Sequence, residues 1–148
     1  MAKARVLVID DDQIVLDSIS QILTDEDYDV DVTLRGREGR DRAIRKHYDI
    51  VLTDIRMPDI GGIRVLRDIR RERPALPVVI ITGYATAPST VMAMNLGAAD
   101  FIEKPFEPEE LLKKVASALQ AGRTCSRGAG QYSQRKDDRG SGGCCIRL

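Results

Sequence analysis

The chain has 148 residues, 43% hydrophobic and 31% charged, a composition typical of a soluble globular domain with a tail. Residues 1–121 carry 21 acidic and 17 basic side chains, whereas residues 122–148 carry 2 acidic and 6 basic ones. The acidic part lacks the basic face of general nucleic-acid binding proteins, and no apolar stretch approaches the roughly 20 residues that span a bilayer. With no signal-peptide pattern and all three cysteines in the tail, a cytoplasmic location is expected and membrane attachment is not.

The first strand and helix are predicted at the start of the chain. Residues 6–9 are entirely apolar, which is typical of a strand buried on both faces. Asp10 and Asp11 follow this strand, and Asp12 is placed to cap a helix over about residues 13–25, where apolar side chains recur at helical spacing. Two carboxylates therefore stand at the end of the first strand.

The second strand and helix are more polar. Residues 30–34 alternate between apolar and polar side chains, which indicates a more exposed strand. Residues 36–47 are predicted to form a helix with Ala43 and Ile44 facing inward. His47 is the only histidine of the sequence, and its position near a polar helix end predicts that it faces solvent.

The third strand ends at a carboxylate. Residues 50–52 are apolar and rich in β-branched side chains, and Asp54 stands where this strand should end. Residues 57–62 supply turn chemistry through one proline and two glycines, and a helix from about residue 63 ends before Pro74. Asp54 is thus placed at the C-terminal end of a strand, and in an open α/β sheet ligands bind at the edge formed by these strand ends.

The fourth and fifth units complete the pattern. A strand at residues 77–83 contains Thr82 near its end, and the helix after it, over residues 87–96, is expected to stop at Gly97. The last strand, residues 99–103, leads to Lys104. The last helix opens with acidic residues at its positive end, and its buried stripe is formed by Leu111, Leu112, Val115 and Leu119.

Five alternating strands and helices predict a parallel sheet with helices on both faces. In such a sheet the C-terminal strand ends share one edge, so Asp10, Asp11, Asp54, Thr82 and Lys104 should converge. Three carboxylates in one small site repel each other unless a cation joins them, and hard oxygen ligands suit Mg²⁺. A lysine and a threonine are what a phosphoryl group needs on its other oxygens.

At these strand ends the chain resembles the receiver domain of response regulators in two-component signalling, over about residues 4–121. The motifs that carry the resemblance are Val-Leu-Val-Ile-Asp10-Asp11, Asp54-Ile-Arg-Met-Pro58, Ile-Ile-Thr82-Gly and Glu-Lys104-Pro105-Phe106. It implies a flavodoxin-like, doubly wound five-stranded parallel sheet of order 2-1-3-4-5. The expected domains are a receiver (phosphoacceptor) domain at residues 1–121 and a disordered basic tail rich in Gly, Ser, Arg and Cys at 122–148.

The resemblance also implies the roles of the site residues. Asp54 is the phosphoacceptor, a carboxylate nucleophile that attacks a phosphohistidine of a partner. Mg²⁺ is held by Asp11, Asp54 and the backbone carbonyl of Arg56, and Asp10 acts mostly through metal-bound water. Lys104 offsets charge on the phosphoryl group as it moves.

Two further residues match the switch of the family. Thr82 hydrogen-bonds the bound phosphoryl oxygen, and Phe101 matches the aromatic side chain that turns inward on activation, although a buried strand aromatic is the plainer interpretation. The Lys104–Pro105 bond is expected to be cis. Large side chains at Arg56 and Tyr84 suggest the hypothesis that they shield the acyl phosphate from water.

Receiver domains often precede a DNA-binding or enzymatic module, but the 27 residues of the tail hold no buried stripe and cannot build a core. The expected function is therefore that of a single-domain response regulator without a DNA-binding domain. The donor is a sensor histidine kinase or a histidine phosphotransfer protein, selected by the face of the first helix around Ile14, Val15 and Ser18. The output is phosphorylation-dependent binding of an unknown partner at the face of the fourth helix, fifth strand and fifth helix, or a phosphorelay. The protein is not expected to be an enzyme beyond Mg²⁺-dependent phosphorylation and dephosphorylation of itself.

Two alternatives remain open from the sequence. A phosphatase resembling the haloacid-dehalogenase family would use Asp10 as its nucleophile, with Asp12, Thr82 and Lys104, but it leaves Asp54 unexplained. A receiver fold used for docking without phosphorylation would normally have lost its acidic residues. The three readings differ in the residue that is phosphorylated: Asp54, Asp10 or none.

Overall fold

The computed structural model describes residues 3–83 and 87–131, in which five strands alternate with five helices. The strands are β1 (Arg5–Ile9), β2 (Asp29–Thr33), β3 (Ile50–Thr53), β4 (Val78–Thr82) and β5 (Asp100–Glu103). The helices are α1 (Gln13–Asp25), α2 (Gly36–Arg45), α3 (Gly62–Glu72), α4 (Ala87–Asn95) and α5 (Pro108–Gln131). Within the described part of the chain, none of these helices combines the length and apolar character of a membrane span.

The strands form one parallel sheet in the order β2-β1-β3-β4-β5, which confirms the predicted topology. The chain starts at β1, the second strand of the sheet, adds β2 on one side and then crosses to the other side for β3. This reversal next to β1 leaves a crevice at the carboxyl ends of β1 and β3, where open α/β sheets bind ligands. β2 lies at an edge and is partly exposed, as its alternating sequence predicted.

The hydrophobic core has two layers, one on each face of the sheet. Successive side chains of a strand point to opposite faces, so Val6 and Val8 join one layer while Leu7 and Ile9 join the other. The first layer is covered by α1 and α5, and the second by α2, α3 and α4. Because β1, β3 and β4 are buried on both faces, their sequences are apolar without alternation.

Most predicted boundaries agree with the structure, and the local signals explain them. Asp12 caps α1, since its Oδ1 accepts a hydrogen bond from the Ile14 N–H at 3.0 Å. Gly97, with φ of +101°, follows the end of α4 in a conformation that favours glycine. The helix α2 ends at Arg45, slightly before the predicted residue 47.

The helix α5 continues to Gln131, beyond residue 121, which is the predicted end of the domain. No proline interrupts residues 109–131, so the backbone can continue its helical hydrogen bonds after the apolar stripe has stopped. The rest of the predicted tail, residues 132–148, lies outside the described residues. The division at residue 121 and the disorder of the tail stay predictions.

Candidate functional site

The predicted site residues lie at the carboxyl edge of the sheet. Asp10 follows β1, Asp54 follows β3, Thr82 ends β4 and Lys104 follows β5. Ile9 pairs with Thr53, so the residues that follow them, Asp10 and Asp54, are neighbours across the crevice. The parallel register thus brings together residues from four separate strand ends.

Backbone hydrogen bonds extend the sheet by one residue at this edge and hold the site residues in place. The Asp54 N–H donates to the Ile9 carbonyl at 3.0 Å, and the Lys104 N–H donates to the Thr82 carbonyl at 2.9 Å. The Lys104–Pro105 bond is cis, as predicted. The backbone positions of Asp54 and Lys104 are therefore set by the sheet rather than by a free loop.

The ammonium group of Lys104 joins the two buried carboxylates. Its Nζ lies 2.9 Å from Asp10 Oδ2 and 3.1 Å from Asp54 Oδ2. The carboxylate side chains are only 2% and 8% exposed, so these are buried, charge-assisted contacts rather than surface ion pairs. Leaving either carboxylate without this cation would be strongly unfavourable.

The electrostatics of the site favour a second cation. Burial raises the pKa of Asp10, and the hydrogen bonds from Lys104 and from the Asp12 N–H only partly offset it, while the charge of Asp54 raises it further. Burial lowers the pKa of Lys104, but the hydrogen bond and charge of Asp10 and the charge of Asp54 outweigh this effect, so its pKa is raised. The positive charge of Lys104 therefore offsets only part of the cost of burying the Asp10 carboxylate.

A third carboxylate completes the site. One carboxylate oxygen each from Asp10, Asp11 and Asp54 lie within 4.8 Å of one another, and Asp11 is exposed. Hard oxygen donors at this spacing, one open to water, fit Mg²⁺, which retains water ligands in most protein sites. The Arg56 N–H lies 3.4 Å from Asp54 Oδ1, so the backbone of Arg56 is beside these carboxylates.

The family model described as the response regulator receiver domain matches residues 6–116. The chain belongs to the response regulator receiver family. Receiver domains are signalling domains that bind Mg²⁺ through acidic residues and interact with histidine kinases. In this chain the acidic residues at that position are Asp10, Asp11 and Asp54.

Relatives and solved structures agree with this assignment. The chain is 33% identical to the uncharacterized transcriptional regulatory protein YkoG of Bacillus subtilis over 132 residues, covering 89% of this chain and 58% of YkoG. It is 34% identical to response regulator ArlR of Staphylococcus aureus, covering 78% of this chain and 52% of ArlR. The CheY-like receiver domain protein of Methanospirillum hungatei JF-1 superposes with a TM-score of 0.78 at 34% identity, covering 81% and 96% of the two chains. The chain spans little more than half the length of the curated relatives it matches.

The two predicted switch residues of the receiver domain lie on adjacent strands. Thr82 is buried and ends β4, and Phe101 lies on β5, partly buried against the core layer of α2, α3 and α4. Gly83 follows Thr82, and a Cβ added there would lie 3.8 Å from the Lys104 Cβ, so the position lies directly beside that side chain. This arrangement is compatible with the predicted roles, which stay predictions.

The residues of the shielding hypothesis are only partly described. Arg56 is exposed and lies next to the site, whereas Tyr84 lies outside the described residues. His47, with a side chain 75% exposed, faces solvent as predicted, and it precedes β3 at the opposite end of the sheet from Asp54. A histidine there is not placed to donate a phosphoryl group to Asp54.

Two contacts near the site were not predicted from the sequence. Lys114 of α5 donates a hydrogen bond to the Phe101 carbonyl at 2.8 Å, and its Nζ lies 5.4 Å from the centroid of the Phe101 ring. Asp59, in the loop after β3, binds the start of α2. The first contact depends on the packing of α5 and has no local signal. The contact of Asp59 had a local signal. Arg35 is a poor N-cap residue, so the first N–H groups of a helix beginning after it need a hydrogen-bond acceptor from elsewhere in the chain.

Proposed function

We propose that this receiver domain accepts a phosphoryl group on Asp54 from a phosphohistidine of a partner protein. The observation that supports this most directly is the placement of Lys104, whose Nζ contacts both Asp54 and Asp10 while three carboxylates share one small site. A carboxylate held between a fixed ammonium group and a divalent-cation site can act as a nucleophile toward phosphorus without excessive charge repulsion.

The proposed transfer is a single displacement at phosphorus. A carboxylate oxygen of Asp54 forms the new P–O bond as the P–N bond to the donor imidazole breaks, and the electron pair of that bond stays on the imidazole nitrogen. Lys104 offsets the negative charge of the phosphoryl oxygens, and the hydroxyl of Thr82 donates a hydrogen bond to one of them. Asp10, Asp11, Asp54 and the Arg56 carbonyl would hold Mg²⁺, which supplies positive charge to the phosphoryl oxygens.

An exposed apolar side chain beside the site supports a proposal for where the donor binds. Ile14, at the start of α1 beside the site, is 78% exposed, and Ser18 lies one turn further along the exposed face. An apolar side chain this exposed next to the site is a suitable contact for a sensor histidine kinase or a histidine phosphotransfer protein. We propose that the face formed by Ile14, Val15 and Ser18 selects that partner.

We propose that the output partner binds the surface of α4, β5 and α5. The helix α4 follows the Thr82 strand, and three of its apolar side chains, Val91, Met92 and Met94, are 55%, 52% and 42% exposed. In this proposal, phosphorylation changes the contacts of Thr82 and thereby shifts an equilibrium between two conformations of the α4, β5 and α5 surface. The shift can be no larger than the difference in the free energy of those contacts between the two conformations. The curated relatives extend well beyond the segment that they share with this chain, so the response that follows partner binding is part of this proposal. We also propose a cytoplasmic location.

The test uses a small phosphodonor with Mg²⁺ and maps the acyl phosphate by mass spectrometry. We expect one phosphoryl group on Asp54, none in Asp54→Asn, and slower modification of Asp54 in Asp10→Asn. A phosphoryl group on Asp10 would support the phosphatase alternative instead. An unmodified wild-type protein, with the donor shown to be active on another receiver, would support the docking alternative.

A further inference from the structure

The helix α2 is capped by a residue from a distant loop. Arg35, at its N-cap position, makes no side-chain capping hydrogen bond. The carboxylate of Asp59 takes this place: its Oδ1 accepts a hydrogen bond from the Gly36 N–H at 3.0 Å, and its Oδ2 accepts one from the Arg37 N–H at 2.8 Å. Both oxygens of one side chain thus satisfy the first N–H groups of a helix that lies more than 20 residues earlier in the sequence.

The loop that carries Asp59 is packed tightly against α2. A Cβ added to Gly36 would lie 2.9 Å from the Ile60 carbonyl oxygen and 3.0 Å from the Met57 Cε, so only glycine permits this approach. Burial raises the pKa of Asp59, but hydrogen bonds from the N–H groups of Arg37, Ile60 and Gly36 outweigh it, and the pKa is lowered. Asp59 is therefore an ionised anchor in a close contact between loop and helix.

The same loop begins at the proposed phosphoacceptor. It leaves β3 at Asp54, passes through Arg56 and returns to α3 at Gly62, where the Gly62 N–H donates to the Ile55 carbonyl at 2.7 Å. A Cβ on Gly62 would overlap the carbonyl oxygen of Asp54. The loop is thus fixed at both ends, and the hydrogen bonds of Asp59 tie its middle to α2.

We propose that Asp59 is a positioning residue for the magnesium site, holding the Asp54–Gly62 loop so that Arg56 stays beside the carboxylates. This inference rests on the proposed function, because it assumes that the Asp10, Asp11 and Asp54 cluster binds Mg²⁺. Asp59 does not contact the cation. It acts through the loop, in the way that outer contacts of metal sites orient the ligands.

The test is a titration of the full chain with Mg²⁺ alone, followed by the ¹H–¹⁵N signals of Asp11 and Arg56. We expect Asp59→Ala to weaken Mg²⁺ affinity about 10-fold, a typical effect of losing an outer contact. Asp59→Asn keeps one acceptor oxygen and should fall between Asp59→Ala and wild type. Phosphorylation of Asp59→Ala by a small donor should be slower than that of wild type at low Mg²⁺ and should reach the wild-type rate at saturating Mg²⁺.

The control is Tyr48→Phe, which removes a side-chain hydrogen bond of 2.6 Å at the amino end of β3, away from the site. We expect it to lower stability without changing Mg²⁺ affinity. If Asp59→Ala is destabilised but binds Mg²⁺ like wild type, Asp59 is a helix cap only and the inference is wrong. If wild type itself binds no Mg²⁺ at Asp10, Asp11 and Asp54, the proposed function is wrong, and this inference is then wrong as well.

Discussion

Lys104 Nζ and Asp54 Oδ2 lie 3.1 Å apart although 50 residues separate them in the sequence. The contact exists because β5 and β3 end at the same edge of the sheet, with β4 between them. The contact places the ammonium group of Lys104 against the proposed phosphoacceptor, whose side chain is only 8% exposed. A divalent cation bound at Asp10 and Asp54 would share these carboxylates with the positive charge of Lys104.

The first prediction concerns this cation. Lys104→Met keeps the length of the side chain and removes its charge, so the phosphoryl oxygens lose a donor in the transition state. We expect phosphorylation by a small donor to slow about 100-fold, the usual effect of removing one such group. Mg²⁺ should bind more tightly, because a competing positive charge is gone.

Lys113→Met is the matched control for this experiment, since Lys113 is exposed on α5. Both quantities should stay at wild-type values in that variant. Rates measured by quench-flow and intact-mass analysis would contradict the prediction if Lys104→Met were phosphorylated as fast as the control.

The second prediction compares two adjacent glycines at the start of α3. A Cβ on Gly62 overlaps the Asp54 carbonyl oxygen, whereas the nearest atom to a Cβ on Gly61 is the Ile55 carbonyl oxygen at 3.6 Å, an ordinary contact. We expect Gly62→Ala to lower the free energy of unfolding by about 2–3 kcal/mol and Gly61→Ala by less than about 1 kcal/mol. Urea unfolding monitored by circular dichroism measures both.

The same pair tests whether the backbone of Asp54 matters for the chemistry. In Gly62→Ala the Asp54 carbonyl has to move, so phosphorylation of the folded variant should also be slowed. Equal stability of the two variants would show that the loop yields to the added methyl group, and the close approach would then carry no structural requirement.

The third prediction is a pH dependence at the opposite edge of the sheet. Tyr48 donates a hydrogen bond to Asp31 Oδ2 at 2.6 Å. Burial, then the hydrogen bond to Asp31 and the charge of Asp31, raise the pKa of Tyr48 from 10.0 to about 12. Because the folded pKa is above the unfolded one, the protonated phenol stabilises the fold fully below pH 10.0, and this contribution is lost as pH rises through about 12.

Tyr48→Phe should therefore lower the free energy of unfolding by about 1.5–3 kcal/mol at neutral pH, the usual contribution of a hydrogen bond to a charged group. The difference between wild type and variant should shrink as the solution becomes strongly alkaline. Urea unfolding across the alkaline range measures it. A difference that stays constant through this range would show that Tyr48 acts by packing alone.

The elements of the fold follow from patterns that are local in the sequence. The apolar runs of β1, β3 and β4 are continuous because both faces of those strands are buried, and β2 alternates because it lies at an edge. Asp12 and Gly97 mark helix ends through their own backbone and side-chain chemistry. The continuation of α5 as far as Gln131, the last described residue, was not predicted because hydrophobic periodicity reports burial, and backbone hydrogen bonds continue without it.

The sequence by itself determined that Asp10, Asp54, Thr82 and Lys104 stand at the carboxyl ends of four strands, since each is marked by the strand that it closes. The strand order was implied by the resemblance, and the contacts of Lys104 with Asp10 and Asp54 were found in the structure. Both depend on the crossovers between strands. Only the tertiary structure decided that Asp59 caps α2 and that Lys114 binds Phe101. Those contacts join segments far apart in the chain, and no local periodicity or turn chemistry specifies which distant N–H or carbonyl a side chain will meet.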